Sequence, residues 1–186
     1  MGPTAGKSVL LIVDMLTAWE YDGAERVADR AEGAVEAIAR IRSAAAGGLR
    51  VAFANDLDGG FHGSRERAFS RAMAGRRPDL VAPLEPDPAD DFIHKGQHSA
   101  FYGTPLAHLM VVSGAEHLIL TGQITEQCIL YTALDAHVRG YGITVPTDAV
   151  VAGEPRLGEA ALEMIESNMG GRLTLADELI RELRPG

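Results

Sequence analysis

Cysteine is almost absent from this chain: one residue, Cys128, among 186. A single thiol excludes an intrachain disulfide, so the fold must be held by packing. Tryptophan occurs once, as Trp19, and aromatic residues make up only 5% of the chain, which leaves the core to aliphatic side chains. No apolar run approaches the length that crosses a bilayer, and the opening MGPTAGKS lacks the apolar stretch of a signal peptide. Basic residues are scarce too, seventeen against twenty-six acidic, for a formal net charge of −9. That balance argues against nucleic acid and anionic membranes as partners, because both need a concentrated positive patch. The one basic cluster, Gly75-Arg76-Arg77-Pro78, is too short to serve. These absences point to a single domain, 1–186, in a reducing cytoplasm.

What is present is a regular alternation. Apolar residues make up 46% of the chain, enough for a substantial core. Ser8–Val13 is a continuous apolar run, as expected of a strand buried on both faces. From about Ala24 to Ala46 apolar residues recur at helical spacing until Gly47-Gly48 stops them. Arg50–Ala54, Asp91–His94, His117–Thr121, Gly142–Val145 and Arg172–Thr174 read as further strands. Ser64–Ala74, Pro105–Val112, Thr125–Arg139, Glu159–Ser167 and Ala176–Leu183 read as helices, and Pro78–Pro88 as a surface linker. On the Thr125–Arg139 helix, Leu130, Ala133, Leu134 and Val138 are expected on the buried side. Repeated strand–helix units of this length predict an α/β fold with a mainly parallel sheet and helices on both faces.

Parallel sheets bind ligands beyond the carboxyl ends of their strands. Asp14 follows the first strand, Asn55 and Asp56 the second, Lys95 the third, and Cys128 comes shortly after the fourth. Taken singly, each has a bland reading: a lone cysteine is commonly a small buried hydrophobe, Asp14 a turn residue, Lys95 a solvated charge. Together they put a carboxylate, a polar pair, an amine and a thiol on one edge. With Thr125 as helix cap, Cys128 is the third residue of its helix, where free amides and the helix dipole favour a thiolate. Asp14 then serves to take the thiol proton and hand it to a leaving amine, which completes the groups needed for acyl transfer.

The stretches LLIVDM with Asp14, IHKGQHSAFYGTPL with Lys95 and LILTGQITEQCILYTALDA with Cys128 resemble the isochorismatase-like cysteine hydrolases, in order and spacing, from about Val9 to Ala152. The resemblance implies a Rossmann-like three-layer α/β/α sandwich and an Asp-Lys-Cys triad carried by Asp14, Lys95 and Cys128. It also implies a cis peptide at Gln123–Ile124, with the amides of Ile124 and Cys128 turned toward a developing oxyanion. Assembly as a homodimer or homotetramer is common in the family, and the Pro105–Val112 helix is a candidate interface.

Two departures sharpen the chemistry. Nicotinamidase-type members bind a divalent metal through an Asp-x-His pattern with further histidines, whereas this chain reads FANDLDGGFHG, with Asp58 in place of the first histidine. Asp56, Asp58 and His62 offer too few good ligands, so the expectation is no metal and no cofactor. Members that hydrolyse isochorismate lack the cysteine, so Cys128 points to a C–N acyl bond and a small-molecule amide substrate. Asn55 and Asp56 are expected to shape the pocket, and Trp19, Phe101 and Tyr102 to wall it, with core packing as the alternative for the aromatics. His94 and His98 straddle a strand end and are read as separate hydrogen-bonded histidines. Three alternatives stay open: a nicotinamidase-type metal-assisted deamidase, a thiol redox sensor, and a binding protein on a retired enzyme scaffold.

Overall fold

The computed structural model describes residues 2–44, 48–56 and 63–183. Its centre is a seven-stranded sheet in which every pairing is parallel. The strands are β1 (Ser8–Val13), β2 (Arg50–Asp56), β3 (Asp91–Lys95), β4 (His117–Gln123), β5 (Gly142–Pro146), β6 (Val150–Val151) and β7 (Arg172–Thr174). They run in the order β3-β2-β1-β4-β5-β7, with β6 paired to the end of β4. The helices are α1 (Ala24–Ala44), α2 (Arg65–Met73), α3 (Pro78–Val81), α4 (Leu106–Val112), α5 (Leu130–Val138), α6 (Pro155–Met169) and α7 (Ala176–Leu183).

Side-chain alternation along β1 shows why the sheet is covered twice. Leu10 and Ile12 pack with α1, α2, α3 and α7, while Val9, Leu11 and Val13 pack with α4, α5 and α6. All five are fully buried. A strand apolar on both sides is stable only between two helical layers, so the α/β/α sandwich expected from the sequence is the observed one.

Three local expectations are corrected. Pro78–Pro88 is not a plain surface linker: Pro78 opens α3, a 3-10 turn occupies Ala82–Leu84, and Leu80, Val81 and Leu84 are buried against α1. Proline at the first helical position costs no hydrogen bond, so the segment folds as soon as its three apolar side chains find the core. The Thr125–Arg139 helix begins instead as a π turn, Thr125–Ile129, before α5. A π turn closes i→i+5 hydrogen bonds and so shifts the phase of the helix after it. Leu134 and Val138 are therefore exposed, and Thr132, Ala133 and Ala136 are buried. The two-residue strand β6 is too short to carry a periodicity, and no sequence signal announces it. Gly47, the expected helix stop, lies outside the described residues.

The order of strands along the sheet reverses between β1 and β4, and a crevice forms where neighbouring connections diverge at such a point. Gly122 lies beside Val13 at this junction with φ +101°, and a Cβ there would run into the Val13 carbonyl oxygen. Gly103 has φ +64° but open space around it. Replacing Gly103 by alanine should therefore cost only the ~1–2 kcal/mol of a left-handed backbone. Gly122→Ala should cost clearly more, because backbone must also move. Urea midpoints of the two variants, compared with the parent chain, check this ordering.

Candidate active site

The last residue of β3 organises the crevice. Lys95 pairs in register with Asp56 on β2, so parallel-strand geometry sets the two side chains next to each other on one face. The Lys95 side chain is fully buried, and its Nζ lies 2.6 Å from Asp56 Oδ1 and 2.7 Å from Asp14 Oδ2. Its third neighbour is Cys128 Sγ at 3.4 Å.

Asp14 is held from several sides. Its amide donates to the Ala54 carbonyl at 2.8 Å, continuing the β1–β2 ladder one step past the strand. At φ +53° the chain then turns sharply, in a region that aspartate tolerates better than most residues. Oδ1 accepts from the Asp56 amide at 3.1 Å, leaving Oδ2 to Lys95. The Asp14 carbonyl accepts from Gln123 Nε2 at 2.6 Å, and Gln123 Oε1 accepts from the Tyr21 hydroxyl at 3.3 Å. Burial, partly offset by Lys95, raises the Asp14 carboxyl to about 6, and Asp56 adds to the rise. Burial and Asp14 together push the Tyr21 hydroxyl up to about 12, so it remains a donor.

Cys128 sits in the π turn at the end of β4. The Gln123–Ile124 peptide is cis, and Ile124, not Thr125, is the residue that precedes the turn. The Ile124 carbonyl accepts from the amides of Gln127 (3.0 Å) and Ile129 (3.2 Å). Cys128 is thus the fourth residue of the turn, and the expected capping role of Thr125 is corrected: its buried hydroxyl has no hydrogen-bond partner among the described residues. Burial and the Asp14 charge push the Cys128 thiol up to about 12, with Lys95 opposing. For Lys95, burial disfavours the charged form, but Asp14 and Cys128 outweigh it and hold the pKa above the ordinary lysine value.

A cavity of about 350 Å³ opens over this cluster. Asp14, Asn55, Asp56, Gln123, Ile124 and Cys128 line it, so it brings together most of the residues singled out from the sequence. The aromatics are elsewhere. Trp19 is packed into the core against α1, and Phe101 stacks on Tyr141 beneath the Arg139 guanidinium. Tyr102 is exposed and outside the cavity. Core packing wins for Trp19 and Phe101 because each lies on the apolar side of its loop. Asp58 and His62 lie outside the described residues, and among those described no group of three or more His, Cys, Asp or Glu is arranged to hold a metal.

Sequence reasoning missed His98, Tyr21 and Gln127, which also line the cavity. His98 Nδ1 is 3.8 Å from Cys128 Sγ, and its ring lies against Tyr131, centroids 5.5 Å apart. The loop that carries it is tied to α5 by Ser99 Oγ to Asp135 (2.5 Å) and by the Ala100 amide to Thr132 Oγ1 (3.0 Å). Its position three residues beyond Lys95 is the available signal; reading it only as a separate hydrogen-bonded histidine left its place beside the sulfur unstated. His94 packs edge-on against Phe92.

Known proteins share this arrangement of strands and helices. A family model described as the isochorismatase domain matches residues 8–178. The isochorismatase family protein YaaI of Bacillus subtilis is 32% identical over 174 residues, covering 93% of this chain and 96% of its own. A ureidoacrylate amidohydrolase, RutB, of Methylorubrum extorquens is 33% identical over 195 residues, covering 89% of this chain and 79% of its own. Among solved structures, a cysteine hydrolase from Pseudomonas syringae superposes with a TM-score of 0.79 at 24% identity, covering 98% of this chain and 94% of its own.

The electrostatics of the cluster can be measured directly. Because Asp14 holds the thiol up and Lys95 opposes it, Asp14→Asn should lower the Cys128 titration midpoint from about 12 by roughly one to three pH units. With one cysteine in the chain, the ultraviolet absorbance of the thiolate against pH reads this, using Cys128→Ala and Asp14→Asn/Cys128→Ala as the matched blanks that subtract Tyr21, whose hydroxyl also responds to Asp14.

Proposed function

The chain belongs to the isochorismatase family, and we propose that it is a metal-independent cysteine hydrolase that cleaves a C–N bond of a small amide through a thioester. The observation that carries this reading is the contact of one buried ammonium with Asp14, Asp56 and the Cys128 sulfur on the floor of a cavity. The amidohydrolase activity named for the RutB relative supports the reaction class.

In this mechanism the Cys128 thiol gives its proton to Asp14 as sulfur attacks the amide carbonyl. The transfer does not need a free thiolate beforehand. Neutralising Asp14 removes the repulsion that held the thiol up, so the two groups titrate as a pair. The carbonyl oxygen takes up charge and is stabilised by the backbone amides of Ile124 and Cys128. Asp14 then protonates the departing nitrogen, the C–N bond breaks, and ammonia or an amine leaves. Water attacks the thioester, giving its proton to Asp14; the C–S bond breaks, the acid is released, and the proton returns to sulfur. Throughout, Lys95 keeps its charge and compensates the anionic partners around it.

Other readings fit less well. A thiol redox sensor needs a reactive thiolate at rest, and Cys128 is buried and raised. A nicotinamidase-type metal site would recruit Asp56, whose carboxylate is already paired with Lys95, and it would meet a carboxylate at position 58 where that pattern has imidazole. No helix among the described residues is long and apolar enough to cross a membrane. A cytoplasmic homodimer or homotetramer belongs to the same proposal, and Val111 and Val112 on α4 with Leu134 and Val138 on α5 offer exposed apolar faces for it.

Ammonia release from a panel of small carboxamides and N-carbamoyl compounds tests the proposal. Turnover is expected with the parent chain and not with Cys128→Ala, and an acyl-enzyme should be trapped by mass spectrometry at Cys128. Activity that survives Cys128→Ala overturns it. The base must be ionised to accept the thiol proton, and the Asp14 carboxyl lies at about 6. The value of kcat/KM should therefore be full above neutrality and fall as pH drops through about 6, by about tenfold per pH unit below it.

A further inference from the structure

The charge around the cavity is unbalanced. Two carboxylates, Asp14 and Asp56, share one ammonium, and Lys95 lies buried behind them with both ion pairs already made. The Asp56 side chain nevertheless remains 67% exposed at the mouth. Among the described residues no lysine or arginine lines the cavity.

Hydrogen bonding supplies an independent mark on the same wall. Asn55 is only 5% exposed and lines the cavity. Its Nδ2 donates to the Leu16 carbonyl at 3.1 Å, which fixes the orientation of the amide. Its Oδ1 is buried without any donor among the described residues. Buried acceptors are nearly always satisfied, so a lone one beside a cavity marks where a ligand N–H belongs. A carboxylate brought there would face an acceptor and a second carboxylate, and among the described residues no lysine or arginine lines the cavity to receive it.

We propose that the site selects amides whose acyl part is uncharged or cationic and carries an N–H group, with Asn55 Oδ1 as the acceptor and Asp56 as an electrostatic filter against carboxylates. This rests on the amidase reading and narrows it. The selected class differs from an anionic ureido acid such as the compound for which the RutB relative is named.

The experiment uses three ureas of matched length: N-carbamoyl-β-alanine (anionic), its methyl ester (neutral) and N-(2-aminoethyl)urea (cationic). Binding to the Cys128→Ala variant is measured by calorimetry above neutral pH, where Asp14 is ionised. The neutral and cationic ureas should bind at least about tenfold more tightly than the anion, the size expected for two like charges several ångströms apart near a protein surface. In Cys128→Ala/Asp56→Asn the penalty against the anion should shrink, and in Cys128→Ala/Asn55→Ala the neutral urea should weaken while the order by charge persists. Equal or tighter binding of the anion overturns the proposal, as does failure of all three to bind. Turnover by the parent chain is scored separately: selective binding without hydrolysis counts against the amidase reading and leaves the selectivity standing.

Discussion

Everything at this site depends on an ammonium group held out of water. Moving such an ion into a protein interior costs several kcal/mol even after relaxation, so it must be compensated on the spot. Lys95 is compensated by Asp14 and Asp56 together. The backbone cannot drift without breaking one of those contacts, because the three residues end three adjacent strands. Asp14 in turn is fastened to β2 through the Ala54 carbonyl and to β4 through Gln123. The buried charge and the edge of the sheet define each other's position.

The same arrangement sets the reactivity of the thiol. Proximity to a cation and to a helix start is usually taken to produce a thiolate. Here burial and the Asp14 charge act more strongly than Lys95, and they win. The consequence is a thiol held well above its ordinary range beside a carboxyl that is raised as well. In the mechanism proposed above, the raised carboxyl and the raised thiol share one proton, with Lys95 as the fixed charge beside both. Such an arrangement suits a single-cysteine chain, which has no second thiol to rescue an oxidised one.

The cavity wall obeys a different logic from the cavity floor. The floor is set by strand ends, whose spacing the sheet dictates. The wall is set by loops, where a side chain's direction depends on what each loop packs against. Phe101 turned inward onto Tyr141, while His98, three residues earlier, turned over the sulfur. Both lie in one short loop tied to α5 by Ser99 and Ala100. The orientation of this part of the wall is therefore decided by hydrogen bonds to another helix.

Sequence by itself determined the layer architecture and the floor of the site. Apolar runs such as Ser8–Val13 demand cover on both faces, and a parallel sheet sends the residues after its strands to one edge, so Asp14, Asp56, Lys95 and Cys128 were legible as a group. Only the tertiary structure decided the rest. The π turn rotated α5 and exposed Leu134 and Val138, which strict helical spacing had buried. Pro78–Leu84 folded onto α1 because the core supplied cover for its three apolar side chains. The thiol's protonation, the place of His98 over the sulfur and the lone acceptor on Asn55 depend on distances between segments far apart in the chain. Periodicity records which face of an element is apolar; it does not record what a neighbouring element sets opposite.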